Sequence, residues 1–132
     1  MAYHYEFDGR SRTLLAAAEG RMDDSELEEL YFGVRRLKYK DNALTCILDL
    51  TTVSDFDVRS ETIRGLAHLP AIFEDPTLRA VIAPTDFLFG MARMFQIRGS
   101  ETREQLHVVR TLNQALVLLG VSSPQFLRTD AA

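Results

Sequence analysis

Aromatic and polar residues alternate from Tyr3 to Asp8, which is the pattern of a strand with one buried face. A short turn rich in arginine and serine follows, and Thr13 to Glu19 is typical of a second strand. Because so short a connection cannot carry the chain across a sheet, the two strands are predicted to form an antiparallel hairpin.

The clearest helical pattern runs from Asp23 to Lys40. Its apolar stripe consists of Leu27, Leu30, Tyr31, Val34 and Leu37. Asp23 and Glu26 have the spacing of a capping box, in which each side chain bonds the other residue's backbone N–H. Acidic residues precede basic ones along the segment, which suits the helix dipole. The pattern predicts one amphipathic helix.

Apolar strands and helical segments then alternate three times. Leu44 to Leu50 is almost continuously apolar, which predicts a strand covered on both faces, as in a parallel sheet. Thr51 to Asp57 is polar and is predicted to be a loop. The remaining predicted elements are a helix over Arg59–Leu69, a strand over Leu78–Ala83, a helix over Phe87–Ile97, a strand over Leu106–Val109 and a helix over Leu112–Leu119.

This order predicts an α/β fold with a mostly parallel five-stranded sheet, an antiparallel N-terminal hairpin and about four helices. We expect one domain over residues 1–120 and a flexible C-terminal tail over residues 121–132, because that last stretch is polar.

Composition and charge exclude several classes of function. The net charge of −4 argues against non-specific nucleic-acid binding, which needs a basic surface. The single cysteine, Cys46, cannot form an internal disulfide and lies in an apolar run, so we expect it to be buried. No apolar run approaches the roughly 20 residues that span a bilayer, and no signal-peptide pattern begins the chain. We therefore expect a cytoplasmic protein without a transmembrane segment.

Two parts of the chain carry a family resemblance. Ile47–Val53 followed by Asp57 resembles the signature of STAS domains, the family of anti-anti-sigma factors, in which a strand ends in leucine-aspartate-leucine before a polar loop. Ala80–Asp86 with Phe89–Phe95, together with Ala115–Gly120, is similar to the bacterial SpoIIAA-like subgroup. That subgroup shares its fold description with the lipid-binding CRAL-TRIO domains. The resemblance covers nearly the whole chain.

The resemblance implies a regulatory or protein-interaction domain. In anti-anti-sigma factors a kinase phosphorylates a serine after the loop aspartate, which adds negative charge at a helix start and changes partner binding. Here Val58 and Arg59 occupy the two serine positions, so the usual phosphoserine motif is missing. The nearest hydroxyl groups belong to Ser54, Ser60 and Thr62. The expected partner-binding residues are Ser54, Asp55, Asp57, Arg59 and Ser60.

A third hypothesis is a Mg²⁺-dependent phosphoryl-transfer enzyme. Asp49 and Asp86 lie at the carboxyl ends of predicted parallel strands, where α/β proteins place their sites, and Asp55 and Asp57 lie between them. However, no glycine loop that would hold phosphates and no positioned lysine accompanies them, and the three histidines lack the spacing of a zinc motif. We therefore predict no catalytic residues, no resident metal and no cofactor.

Large apolar residues surround most of the predicted third helix. The residues that define this stretch are Phe87, Phe89, Gly90, Met91, Arg93, Met94 and Phe95. A helix that is apolar on most sides is buried on more than one side. It could combine core packing with a homodimer or protein contact. Alternatively, it could wall a groove for a small apolar or lipid-like ligand, with Arg93 meeting an acidic headgroup.

Overall fold

The computed structural model describes residues 2–73, 77–98 and 104–130. Its elements in chain order are β1 (Tyr3–Asp8), β2 (Thr13–Asp23), α1 (Asp24–Lys40), β3 (Thr45–Asp57), α2 (Ser60–Ala67), β4 (Arg79–Ile82), α3 (Asp86–Arg98), β5 (Leu106–Val109), α4 (Leu112–Leu119) and β6 (Leu127–Thr129). The predicted α/β class, with its N-terminal hairpin and mostly parallel sheet, is confirmed.

One mixed sheet organises the molecule, with the strand order β5-β4-β3-β2-β1-β6. Strands β2 to β5 are parallel to one another, and β1 runs antiparallel to both of its neighbours. The longest pairing joins β2 to β3, from Thr13 opposite Thr45 to Asp23 opposite Asp57. Two irregularities in register interrupt it, and Gly20 has a positive φ of 62° at the second. Glycine adopts that backbone conformation without steric cost.

The predicted loop over Thr51–Asp57 is wrong, because β3 continues to Asp57. Beyond Asp49 the strand no longer pairs with β4 and is held by β2 alone. The backbone pairing supplies the strand's hydrogen bonds whatever the side chains are, and most side chains of this extension face solvent. Their polarity therefore reflects exposure rather than a loop.

The predicted domain boundary also differs from the structure. Leu127–Thr129 form a sixth strand, with Phe7 opposite Leu127 and Tyr5 opposite Thr129. The carboxylate of Asp8 accepts a hydrogen bond from the backbone N–H of Gln125 at 3.2 Å and guides the chain into this strand. The strand covers the outer edge of β1, whose backbone groups would otherwise lack partners. Residues 131–132 of the predicted tail lie outside the described residues.

Apolar side chains fill both faces of the sheet. The larger core lies between the sheet and helices α1, α2 and α3, and the smaller one lies under α4. Strand β2 serves both, since Leu14 and Ala16 face the larger core and Leu15 faces the smaller one. A strand that supplies apolar side chains to both cores is buried on both faces, as expected for a continuous apolar run.

The helix ends follow the predicted capping chemistry. The Asp23 carboxylate accepts from the Glu26 N–H at 2.9 Å, and Glu26 accepts from the Asp23 N–H at 3.2 Å. Thr111 caps α4 in the same way, and Gly120 ends that helix with φ 68°. These caps fix where α1 and α4 begin and hence which faces they turn to the sheet.

Helix α1 is seated on the sheet by a close contact between Tyr5 and Gly33. The Tyr5 hydroxyl donates to the Leu30 carbonyl at 3.1 Å, and a Cβ at Gly33 would lie 1.9 Å from that hydroxyl. The tyrosine is buried, and burial raises its pKa. The absence of a side chain at Gly33 is therefore what lets the helix approach β1.

Replacing Gly33 with alanine should destabilise the protein. The new methyl group overlaps a buried ring, which costs about 1–3 kcal/mol and outweighs the gain of up to about 1 kcal/mol in helix propensity. Denaturant unfolding measures the difference. Gly65→Ala is the matched control, because Gly65 is exposed in α2 with no atom within 4 Å of the new Cβ, and it should stabilise slightly. Equal effects of the two variants would contradict the contact.

Candidate functional site

An apolar cavity of about 150 Å³ lies between the sheet and helices α1, α2 and α3. Inward-facing residues of the parallel strands form its floor, and Leu27, Leu30 and Val34 of α1 form one wall. Ile63 and Leu66 of α2 close another side. Other walls include Ile72, Phe73, Met91 and Phe95. The cavity lies where these three helices meet over the sheet.

The floor of the cavity is ordered by the strand register. Ile47 lies opposite Ala80, so the preceding residues Cys46 and Arg79 are neighbours on β3 and β4, and Arg79 lies opposite Leu106 on β5. These three side chains form one row across the floor. The next row on the same face is Leu48, Val81 and Val108. Parallel pairing therefore places a thiol and a guanidinium side by side at one end of an apolar space.

Arg79 is the charged residue among those that line the cavity in the described part of the chain. It is 3% exposed, and its Nη1 donates to the Thr77 carbonyl at 2.8 Å. A buried charge is costly to desolvate, so it needs polar partners around it. Arg79 was not among the predicted site residues, although an arginine at the start of a four-residue, otherwise apolar strand indicates a buried charge.

A second cation lies behind the same end of the cavity. The Nζ of Lys38 donates to the carbonyl of Ile72 and lies 5.1 Å from the centroid of the Phe73 ring. Burial raises the pKa of the Cys46 thiol to about 12, and the charges of Arg79 and Lys38 partly oppose that rise. The thiol, whose residue is half-buried, is therefore neutral at physiological pH.

The apolar residues predicted on the third helix divide between several environments. Met91 and Phe95 line the cavity, and Phe89 and Met94 are half-buried against the larger core. Phe87 is 60% exposed and meets the Phe56 ring edge to face at 6.4 Å between centroids. Only part of the predicted apolar surface therefore faces a ligand-sized space.

Gly90 and Arg93 of the predicted set are exposed on α3. The Arg93 Nη1 donates to the Gln96 side chain at 2.9 Å, away from the cavity lining. The prediction that Arg93 meets a ligand headgroup is not supported, because the helix turns that position outward. The cation placed at the cavity is Arg79.

The predicted partner-binding residues follow the extension of β3 into α2. Ser54, Asp55, Asp57 and Arg59 are exposed, and Ser60, the first residue of α2, is half-buried. The structure brings these residues close together, as the sequence analysis expected, but on a strand and a helix start rather than on a loop.

The charged side chains at the extension of β3 and the start of α2 form ion pairs with neighbouring residues. Arg21 of β2 contacts Asp55 at 3.4 Å and Asp57 at 2.5 Å. The Arg59 guanidinium contacts Asp24 at 2.8 Å, and its backbone N–H donates to the same carboxylate at 2.9 Å. That backbone hydrogen bond is the main cause that lowers the pKa of Asp24. We call these five residues the charged ridge.

The four carboxylates of the magnesium hypothesis do not form one site. Asp49 accepts from the backbone N–H of Thr51 at 2.9 Å, and Asp86 is exposed and pairs with Arg110 at 3.0 Å. Asp55 and Asp57 share Arg21. Across residues 2–73, 77–98 and 104–130, no group of three or more histidine, cysteine, aspartate or glutamate side chains is arranged to hold a metal ion.

No family model matches the chain, and no curated protein matches it. Among the described residues, no helix has the length and apolar character needed to cross a membrane. The cavity and the charged ridge are therefore the two features from which a function can be inferred.

Cys46 should react slowly with alkylating reagents in the folded protein. Because burial raises its pKa from 9.0 to about 12, the fraction of reactive thiolate at pH 8 falls about a thousandfold. Iodoacetamide labelling followed by intact-mass spectrometry should be at least about a hundredfold slower in buffer than in urea. Equal rates in the two conditions would show that the thiol is accessible and ionisable in the folded state.

Proposed function

We propose that this protein is a cytoplasmic, non-catalytic binding domain that holds a small apolar molecule in the cavity between its sheet and helices α1, α2 and α3. The observation that carries the proposal is the cavity itself, with its volume of about 150 Å³ and its apolar walls. An engineered cavity of roughly the same size in another protein stays dry and binds benzene or xenon. Natural ligand pockets share this apolar, preformed character.

The apolar walls of this half-open space support a use for it. Side chains that border an unfilled apolar space lack contact partners on one side and lose the corresponding dispersion contacts. A small apolar ligand would supply such contacts.

The residues of the walls also suit a ligand. Met91 is a flexible, polarisable side chain that adapts to the shape of a bound molecule, and Phe95 and Phe73 offer aromatic faces. The sequence resemblance to the SpoIIAA-like subgroup and its lipid-binding fold relatives is consistent with this role. The size of the cavity favours a ligand with one ring or a short branched chain rather than a whole lipid tail.

Ala92→Leu should fill the cavity and abolish binding of a small apolar probe. Ala92 lines the cavity from α3, so the larger side chain takes the place of the probe. We expect toluene affinity, followed by amide chemical shifts, to fall at least about tenfold, and the free protein to gain about 0.5–2 kcal/mol.

The matched control is Ala115→Leu, a buried alanine of α4 on the opposite face of the sheet. It should lower stability by about 1–3 kcal/mol through overpacking and leave toluene affinity unchanged. Native mass spectrometry of protein purified from cells gives a second readout. If no ligand co-purifies and toluene near its solubility limit shifts no amide of the wild-type protein, the proposal fails.

A second candidate function is a regulatory, protein-interaction domain of the STAS type, acting through the charged ridge. The observation that favours it is the exposed Phe87, which contacts Phe56 beside the ion pairs of Asp55 and Asp57. Exposed aromatic rings bordered by charged residues are typical of protein interfaces. The sequence resemblance adds support. Because Val58 and Arg59 occupy the two serine positions of the usual motif, partner binding would be controlled by something other than phosphorylation of those serines. The partner would be another protein or a second copy of this chain.

Reversing charges on the ridge should weaken partner binding. In the double variant Asp57→Arg, Arg59→Glu, repulsion replaces the pairs with Arg21 and Asp24. We expect at least a tenfold loss of affinity for proteins cross-linked to the wild-type chain in cells. Arg35→Glu, on the exposed surface of α1, is the control and should bind like wild type. If the double variant keeps every partner, the ridge is not the interface.

A further inference from the structure

Tyr31 lies at the mouth of the cavity, where the apolar space meets the surface. The side chains that α2 contributes to the lining are buried, as are most of those from α1. The half-buried lining residues outside the sheet lie on α1, on the segment between α2 and β4, and on α3. They are Tyr31, Ala71, Ile72, Met91 and Phe95. The cavity therefore opens between α1 and α3, beside this segment.

The Tyr31 side chain bridges this opening. Its hydroxyl donates to the carbonyl of Pro70 at 3.4 Å, and its ring meets the Phe95 ring edge to face at 6.4 Å between centroids. One side chain of α1 thus touches the segment between α2 and β4 on one side and α3 on the other. A tyrosine has only two side-chain torsions, so these contacts hold the ring across the opening at a small cost in conformational entropy.

We propose that Tyr31 limits the length of the ligand, so that the cavity takes a compact, ring-sized apolar molecule and rejects one with a long alkyl chain; this rests on the proposed binding function. A ring that fills the cavity directs a longer substituent toward the mouth, because the sheet, α2 and the rest of α1 wall off the other sides. There the chain meets the Tyr31 ring, which moves aside only by losing its contacts with Pro70 and Phe95. Each methylene group that stays in water forgoes a gain of about fourfold in affinity.

Toluene and n-butylbenzene test this limit, since they share one ring and differ by roughly three buried methylene groups. Titration of the full chain, followed by amide chemical shifts, gives both affinities. Burial of the whole chain would favour n-butylbenzene about fiftyfold, but the wild-type protein should prefer it by no more than about threefold. A wild-type preference of about tenfold or more would show that the inference is wrong, and the cavity proposal would stand. If neither compound binds, the cavity proposal itself fails.

Tyr31→Ala should remove the limit. The alkyl chain can then lie where the ring stood, between Pro70 and Phe95, so n-butylbenzene should bind at least about tenfold more tightly than toluene. Tyr39→Ala is the matched control, because Tyr39 is 73% exposed on the same helix, and it should keep the wild-type ratio.

Tyr31→Phe separates the ring from the hydroxyl. It keeps the ring that faces Phe95 and loses the hydrogen bond to Pro70, so it should also keep the wild-type ratio of affinities. If Tyr31→Ala binds toluene and keeps the wild-type ratio, or if Tyr39→Ala changes the ratio equally, the assignment of Tyr31 is overturned. The two probes test the length limit on the wild-type protein even if a variant does not fold.

Discussion

The parallel pairing of β2 with β3 is the constraint on which the rest of the molecule depends. It runs from Thr13 and Thr45 to Asp23 and Asp57, through the middle of the sheet and beyond it. In its first half β2 is buried on both faces, and both strands supply residues to both cores. In its second half the same two strands carry Arg21, Asp55 and Asp57 of the charged ridge. One ladder of backbone hydrogen bonds thus connects the packed interior with the exposed surface.

The cavity follows from the same ladder. Since β4 and β5 continue the parallel sheet, the residues that share a face stand in rows, and Cys46, Arg79 and Leu106 are one such row. Helix α1 is held close to β1 by the contact of Tyr5 with Gly33, while α2 and α3 cover the sheet farther along. The cavity lies between these three helices and the rows of the sheet.

Hydrophobic periodicity predicted most of the elements, because the buried helices and strands of this chain carry apolar residues at the spacing typical of each type of element. The stripe of α1 and the apolar run before Asp49 are examples, and both match the structure. The extension of β3 and strand β6 were missed because their side chains are largely exposed, so that only backbone pairing with a distant strand defines them. Such pairing leaves little trace in composition.

The site was predicted less completely than the fold. Met91 and Phe95 were recognised by their apolar crowding, and they do face the cavity. Arg79 was not, because its burial depends on the register between β3, β4 and β5 and on which helices cover that face. Arg93 was chosen by its proximity in sequence to apolar residues, but helical geometry turns it to solvent. Whether a side chain is buried depends on contacts between elements, and the sequence of a single segment does not specify those contacts.

The pairing of β1 with β6 joins parts of the chain that are far apart in sequence, since Phe7 and Leu127 are 120 positions apart. Closing so long a loop costs more entropy than forming the neighbouring hairpin, so this edge should be completed late in folding. Until then the outer side of β1 presents open N–H and C=O groups, which another unfinished chain can also use. The last strand thus protects the first, and its docking separates the folded chain from an intermediate that can associate with other copies of itself.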